Sequence, residues 1–247
     1  KNLHDAALHR ETHMLLDKMK NTLSYHKVTI YDQEHGYNIT EAGQAAGAFE
    51  QEVAIINSDN LNEKYIYSLP GEDIVHGDLI YWMDNYWLVN ERDANTTVYT
   101  RAKLLQCNYL LRWVTPDGEI YEQWCAIEDG TKYLVGEYED RNFVVTRGDS
   151  RIAMTIARNS KTANFTREQR FLIDDYESPE MLAYLLTKPL KTGLMYSDHG
   201  VYKFVLQEVT ATINDNFEER VADYYKYFPK EGSEEDTTEP AEKDKWL

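Results

Sequence analysis

The chain has 247 residues, 42% of them hydrophobic, which is enough for one large or two small domains with a substantial core. Its formal charge of −17 argues against a surface that grips nucleic-acid phosphates, because such surfaces need clustered Lys and Arg. Two interpretations of the acidity stay open: it keeps the protein soluble, or it lines a wall past which DNA moves without sticking. No apolar run approaches the roughly 20 residues of a membrane span, and no secretory signal is visible, so we expect a soluble protein made inside the cell, without membrane contact.

Residues 1–24 are predicted to form an N-terminal helix. Apolar side chains recur at helical spacing, and neither Pro nor Gly interrupts the pattern. We assign Leu15 and Met19, on the apolar side of this helix, to a candidate interface with a neighbouring molecule.

Residues 25–106 are predicted to be a first β-rich domain. Runs of β-branched and aromatic residues predict strands at 27–31, 52–56, 65–69 and 98–105. The loop between the first two strands is rich in Gly and Ala. It is either a plain connection or a segment that orders on contact with a neighbour.

The stretch 77–126 is predicted to contain the core of the fold. It holds four of the five Trp residues, and each can bury about 150–250 Å². The predicted core residues are Trp82, Trp87, Trp113 and Trp124. Two hairpins are predicted here, one turning at Asp84-Asn85 and one at the Pro-Asp-Gly sequence 116–118.

Two cysteines, Cys107 and Cys125, flank the second predicted hairpin. A disulfide is conceivable if both side chains face the same side of the sheet, which depends on the strand register. Because no secretory signal is visible, two reduced and buried thiols are the favoured interpretation.

Residues 107–213 are predicted to be a second β-rich domain. Further strands are expected at 131–135, 142–146, 151–156, 170–173 and 200–209, and a single helix at 179–189. Many short strands bounded by turns predict a mainly β protein. Its core would be a β-barrel or a sandwich built from antiparallel hairpins, with a helix at each end.

Residues 214–229 are predicted to form a C-terminal helix, because capping residues precede an apolar stripe at helical spacing. The stripe adds four residues to the candidate interface: Phe217, Val221, Tyr224 and Phe228. Residues 230–247 form an acidic tail that is expected to be mobile on its own, with Trp246 as a further candidate interface residue.

Motifs for catalysis are not found in the sequence. There is no phosphate-binding loop, no dinucleotide fingerprint and no Gly-x-Ser-x-Gly elbow. The cysteines and histidines do not have the spacing of a zinc site. We therefore predict no catalytic residue, no metal ligand and no cofactor.

Several short segments carry a recognisable pattern. They are 69–74 (Leu-Pro-Gly-Glu-Asp-Ile), 77–80 (Gly-Asp-Leu-Ile), 87–89 (Trp-Leu-Val) and 107–113 (Cys-Asn-Tyr-Leu-Leu-Arg-Trp), followed by 118–120, 170–173 and 221–226. This pattern resembles a family of virion structural proteins from tailed phages and prophages of Gram-positive bacteria. The resemblance covers about residues 65–226, with Arg112 where the family usually has Lys.

The resemblance implies a non-enzymatic component of the head–tail connector, such as an adaptor, stopper or collar on the portal. Such a protein helps join head and tail and retain DNA. The implied partners are the portal, other neck or tail proteins and further copies of this chain, with non-specific proximity to packaged double-stranded DNA. The implied location is the virion, assembled in the host cytoplasm. The alternatives are a capsid or tail decoration protein and a virion-associated hydrolase.

Overall fold

The computed structural model describes residues 3–39, 47–93, 98–129, 151–174, 181–190, 195–196 and 199–229. A helix, α1 (Leu3–Lys20), precedes six strands: β1 (Tyr25–Tyr31), β2 (Ala48–Asn57), β3 (Glu63–Ser68), β4 (Leu79–Trp82), β5 (Asn85–Asp93) and β6 (Arg101–Gln106). These strands pair antiparallel in the order β1-β2-β3-β6-β5-β4, and β4 pairs back to β1 to close a barrel. The predicted mainly β fold is confirmed, and the first sheet is a barrel rather than one layer of a sandwich.

Side chains of the first barrel alternate between its interior and its outer face. In β3, Ile66 is buried inside the barrel, whereas Tyr65 and Tyr67 are half-buried on the outside. In β2, Ile55 points into the same interior core and its neighbour Ile56 is exposed. The period of two that marks a strand in the sequence therefore separates core from surface here.

The turn between β4 and β5 lies one residue earlier than predicted. Trp82 pairs with Asn85, so the turn residues are Met83 and Asp84 rather than Asp84 and Asn85. Both have positive φ, 49° and 57°, which matches the twist of a two-residue hairpin. In the second predicted hairpin, Gly118 has φ 79° and donates its N–H to the Thr115 carbonyl at 2.9 Å.

The second sheet is a barrel-like core built from seven strands: β7 (Tyr109–Val114), β8 (Ile120–Asp129), β9 (Arg151–Ala157), β10 (Arg170–Ile173), β11 (Leu182–Leu190), β12 (Met195–Tyr196) and β13 (His199–Val209). The main order is β10-β11-β13-β9-β8-β7, and β12 pairs with β13. The predicted strands at 131–135 and 142–146 lie outside the described residues.

Side-chain hydrogen bonds join the two edge strands, β7 and β10, along a seam. The Tyr109 hydroxyl donates to the Leu172 carbonyl at 3.3 Å and accepts the Asp174 N–H at 3.0 Å. The C-terminal segment lies across this seam, where Arg220 donates to the Tyr109 hydroxyl at 3.2 Å. Arg112 of β7 also donates to the Glu219 carbonyl at 2.8 Å, so the last part of the chain completes the second core.

The predicted core tryptophans are divided among three hydrophobic clusters. Trp87 is buried inside the first barrel, with Trp82 half-buried against the same cluster. Trp113 is buried in the core of the second sheet. Trp124 is half-buried in a third cluster, where it stacks on Tyr86 of the first barrel with ring centroids 4.8 Å apart. The tryptophans therefore build both cores and the contact between the sheets.

Both cysteines are buried free thiols. Burial raises the pKa of Cys107 and of Cys125 well above the ordinary value for a thiol, so both stay protonated at neutral pH. Cys125 packs in the second core and Cys107 in the cluster between the sheets. They contribute to packing, as small apolar side chains do.

The helix predicted at 179–189 is wrong where the structure describes it, because Leu182–Leu190 form β11. This strand pairs with β10 on one side and with β13 on the other. A strand hydrogen-bonded along both edges and packed on the core accommodates a continuous apolar run as well as a helix does.

The C-terminal helix predicted at 214–229 is also wrong over most of its length. Only α2 (Tyr224–Tyr227) is helical. Upstream, Asn216 and Val221 form an antiparallel bridge, and the Asn216 side chain accepts two backbone N–H groups. Arg220 and Asp223 have φ values of 58° and 57°, which an α-helix does not allow. Long-range hydrogen bonds to the second sheet therefore override the helical pattern.

The loop after β1 fastens the two sheets to each other. The Asn38 N–H donates to the Glu122 carbonyl at 2.7 Å, and the Asn38 side-chain oxygen accepts the Glu122 N–H at 2.8 Å. Nearby, the Gln33 side-chain oxygen accepts the Gly200 N–H at 3.2 Å. The beginning of the predicted Gly/Ala loop thus orders against the second sheet of its own chain, and residues 40–46 lie outside the described residues.

A buried carboxylate lies beside a close approach between the sheets. Gly77, with φ 96°, abuts β13 so tightly that a Cβ would collide with the Gly200 carbonyl oxygen. The next residue, Asp78, is 4% exposed and accepts the Val75 N–H at 3.1 Å. Burial, reinforced by the nearby Asp32 carboxylate, raises the pKa of Asp78 to about 7 despite its hydrogen bonds.

Replacing Asp78 with Asn is expected to remove a pH dependence of the free energy of unfolding. Because the pKa of Asp78 is about 7 in the folded state and the ordinary value is about 3.9, the folded state binds this proton more tightly. This group should therefore raise the free energy of unfolding of the wild type by about 2 kcal/mol as the pH falls from 8 to 5.5. Asp78→Asn lacks that gain and is the more stable protein at pH 8. Denaturant unfolding at both pH values measures the difference, and equal pH dependence in the two proteins would contradict it.

Candidate interaction surface

One end of the first barrel presents three exposed apolar side chains. Since adjacent strands run in opposite directions, the α1–β1 corner, the β2–β3 turn and the β4–β5 turn all lie at this end. Leu23 in the corner is fully exposed, Leu61 in the first turn is 86% exposed and Met83 in the second is 69% exposed. We call these three residues the tip surface. Three strongly exposed apolar side chains at the same end make this end a candidate contact site.

Met83 occupies a position where its backbone is strained. Its φ of 49° lies in the left-handed region, which costs a non-glycine residue about 1–2 kcal/mol. Gly or Asn would fit this turn better. The adjacent Trp82 fixes the hairpin by packing against His26 and Trp87, with ring centroids 5.0 and 5.9 Å away. An exposed Met held at such a position gains no burial within the chain, which favours a contact outside it.

An apolar groove of about 310 Å³ separates α1 from the outer face of the first barrel. Its lining residues, which we call the helix groove, are Leu15, Lys18, Met19, Thr22, Ser24, Ala54, Ile56, Tyr67 and Tyr99. The C-terminal end of α1 is anchored there. The Ser24 carbonyl accepts the Ile55 N–H at 2.8 Å, and Lys20 pairs with Glu52 at 2.9 Å. By contrast, residues 6–11 of the helix are all exposed.

A buried ion cluster fixes the C-terminal segment to the second sheet. Arg170 of β10 donates to both carboxylate oxygens of Asp215, at 2.8 and 2.7 Å, and to Asp223 at 3.0 Å. The Asp215 side chain has no exposed surface, and its oxygens also accept the N–H groups of Thr212 and Asp223. Burial alone would raise the pKa of Asp215, but the Arg170 hydrogen bond and the backbone donors outweigh it and hold that pKa below its ordinary value.

The predicted interface residues are found in different environments. Leu15 and Met19 line the helix groove. Phe217 is exposed, Tyr224 and Phe228 pack on each other with centroids 4.6 Å apart, and Trp246 lies outside the described residues. Val221, by contrast, is fully buried, because the bridge to Asn216 turns it inward, so it is not available to a partner in this conformation.

The tip surface was missed by sequence reasoning. Leu61 stands within a cluster of Asn and Asp that predicts a turn, and Met83 precedes the predicted turn dipeptide Asp84-Asn85. A large apolar residue at the centre of a predicted turn is a usable signal, because turn positions are usually polar or Gly. Only the closed barrel order, however, brings the separate turns to one end.

A polar pocket of about 230 Å³ lies where the C-terminal segment meets the second sheet. Its lining includes Trp113, Lys161, Arg167, Arg170 and Tyr227. Arg170 is held by two carboxylates, and Arg167 donates to the Thr187 carbonyl at 3.1 Å. Both arginines therefore bind acceptors of the protein itself, Arg170 in the C-terminal segment and Arg167 in β11.

The described part of the chain has neither a group of metal-ligating side chains nor a membrane-spanning helix. Within those ranges, no three His, Cys, Asp or Glu side chains are grouped so that they could hold a metal ion. None of the helices that the structure describes is both long enough and apolar enough to cross a membrane.

Comparison with known proteins identifies no relative. No family model matches the chain, and no curated protein or solved structure matches it.

Proposed function

We propose that this protein is a non-enzymatic structural component of a tailed-phage virion and acts in the head–tail connector. It would act as an adaptor, stopper or collar piece assembled on the portal. Its partners would be the portal, other neck or tail proteins and further copies of itself. Its work would be to join head and tail and to retain the packaged DNA by forming contacts rather than by chemistry.

The observation that carries the proposal is the tip surface. Leu23, Leu61 and Met83 are 69% exposed or more at one end of a closed and internally well-packed barrel. A barrel that satisfies its own backbone does not need these side chains for its fold. Exposed apolar side chains on a rigid scaffold suit a subunit that docks on a neighbour, because burial of apolar surface drives most protein–protein association.

The resemblance to virion structural proteins supports the same role. Its segments fall on both sheets and mostly on positions that hold the fold together, such as Gly77 at the contact between the sheets, Trp87 and Trp113 in the two cores, and Arg170 in the ion cluster. The acidic charge is compatible with a DNA-retaining component, since an acidic wall repels the phosphate backbone.

Electron microscopy of particles from a phage that lacks this gene tests the proposal. We expect tail-less or DNA-depleted heads with free tails beside them. Complete tailed particles would contradict a joining role, and would favour decoration if the capsid or tail surface changed. A virion lacking only a lytic activity, with normal assembly, would favour the hydrolase.

Complementation with two matched variants tests whether the tip surface makes the contact. Leu61→Glu should fail to restore joined particles, because a buried interface anchor is worth about 2 kcal/mol or more. The control is Ile213→Glu, since Ile213 is 87% exposed, as Leu61 is at 86%, but lies in the C-terminal part of the chain. Both variants should keep the wild-type melting temperature. Equal complementation by the two would remove the tip surface from the proposal.

A further inference from the structure

The apolar stripe of α1 extends beyond the barrel that α1 is attached to. Leu8, Thr12, Leu15 and Met19 follow each other at intervals of four, three and four residues, which places them on one face of the helix. Leu15 and Met19 line the helix groove, but Leu8 is not among its lining residues and is 37% exposed. The Thr12 hydroxyl donates to the Leu8 carbonyl at 2.7 Å, so this side chain offers its methyl group without leaving a polar group unpaired.

At both ends of this stripe, the packing against the rest of the described chain is too small to account for a stable helix. Residues 6–11 are exposed throughout, and a helix of this length is marginal in water without packing. At the other end, the helix groove leaves about 310 Å³ open between Met19 and the barrel residues Ile56, Tyr67 and Tyr99. One apolar segment laid along the stripe would cover Leu8 and fill the groove together.

The charges beside the stripe match those of a second, antiparallel copy of α1. Glu11 and Lys18 are exposed, lie seven residues apart and each precede a stripe residue by one position. In an antiparallel pair, residues at these flanking positions face one another, so Glu11 of each helix would meet Lys18 of the other. Three acidic and three basic side chains also balance within Leu3–Lys20, whereas the whole chain carries −17. Two copies of this helix therefore do not repel each other, although the whole chain is strongly acidic.

We propose that α1 pairs antiparallel with α1 of a second copy of this chain, so that Leu8 of each copy enters the helix groove of the other beside Met19. The contact is isologous, because the same stripe and the same groove are used twice about a two-fold axis. It concerns how two copies meet and does not rest on the connector role.

Sedimentation equilibrium of the purified 247-residue chain tests the pairing. The wild type should populate a species of twice 28.9 kDa. Leu8→Glu should raise the dissociation constant of that species by about 100-fold or more, because the two-fold contact would bury one new carboxylate from each copy. The matched control is Met14→Glu, since Met14 is 50% exposed and lies off the stripe, and it should leave the mass unchanged. Equal melting temperatures show that both variants are folded.

A charge exchange gives the pairing its second test. Glu11→Lys and Lys18→Glu should each weaken the dimer by roughly tenfold, and the double variant should restore it, because opposite charges face each other again. A monomer at every concentration, a larger species insensitive to Leu8→Glu, or a double variant as weak as the single ones would overturn the proposal. None of these results bears on the particle phenotype that tests the connector role.

Discussion

Replacing Arg170 with Ala is expected to lower the free energy of unfolding by about 3–5 kcal/mol, which is the cost of leaving a buried carboxylate without its partner. Asp215 is enclosed and receives both of its charged hydrogen bonds from Arg170, at 2.7 and 2.8 Å. Within the described part of the chain, its remaining donors are backbone N–H groups, which do not neutralise the charge. The variant must therefore protonate Asp215 or release the C-terminal segment.

Denaturant unfolding measures this loss, and Arg167→Ala is the matched control. Arg167 belongs to the same pocket, but among the described residues it donates only to a backbone carbonyl, so its loss should cost about 1 kcal/mol or less. The pKa of Asp215 is held below its ordinary value, so its stabilisation is present above about pH 4 and is lost as the pH falls through the lower folded pKa. The difference between wild type and Arg170→Ala should shrink in acid. A loss below about 1 kcal/mol at neutral pH would show that the cluster does not hold the segment.

Replacing Trp87 with Ala is expected to destabilise the protein by about 3–5 kcal/mol, because it removes the largest buried side chain of the first barrel core and leaves a cavity. Trp87 is 5% exposed and packs in the cluster that includes Ile55, Ile66 and Leu104. The barrel is closed around this cluster by backbone pairing, so it has little freedom to collapse into the cavity.

Trp87→Phe separates the loss of volume from the loss of the indole N–H. In the described part of the chain the Trp87 Nε1 atom is buried without a hydrogen-bond partner, so removing it costs no hydrogen bond. We expect Trp87→Phe to cost less than half as much as Trp87→Ala in the same unfolding experiment. A loss below about 1 kcal/mol for the Ala variant would mean that the barrel core is held elsewhere.

The strands of the first barrel could be predicted from the sequence because their signals are local. Alternation of polar and apolar residues, as at Lys27–Ile30 in β1, reports which side of a strand faces the core. The barrel order could not be predicted in the same way. It depends on β4 returning to β1, a pairing between residues about 50 positions apart, such as Thr29 with Tyr81.

The C-terminal segment shows the limit of local signals most clearly. Asp215 has the residue type of a helix cap, and the following apolar residues have helical spacing. Its carboxylate instead binds Arg170, 45 residues earlier in the chain, and this ionic contact prevails over a helical preference worth a few tenths of a kcal/mol per residue. The tip surface was missed for a related reason, since no local pattern reports that Leu61 and Met83 share one end of a barrel.

The seam between β7 and β10 has a consequence for the order in which the protein is made. The Glu219 carbonyl and the Arg220 side chain cover this seam. Both residues leave the ribosome more than 100 residues after Tyr109 and Arg112, which they contact. The nascent first barrel can close while the second sheet still exposes an unpaired strand edge, and such edges template aggregation. Chains released before residue 219 should therefore aggregate through β7, whereas the first barrel of the same fragments should already protect its amides from hydrogen exchange.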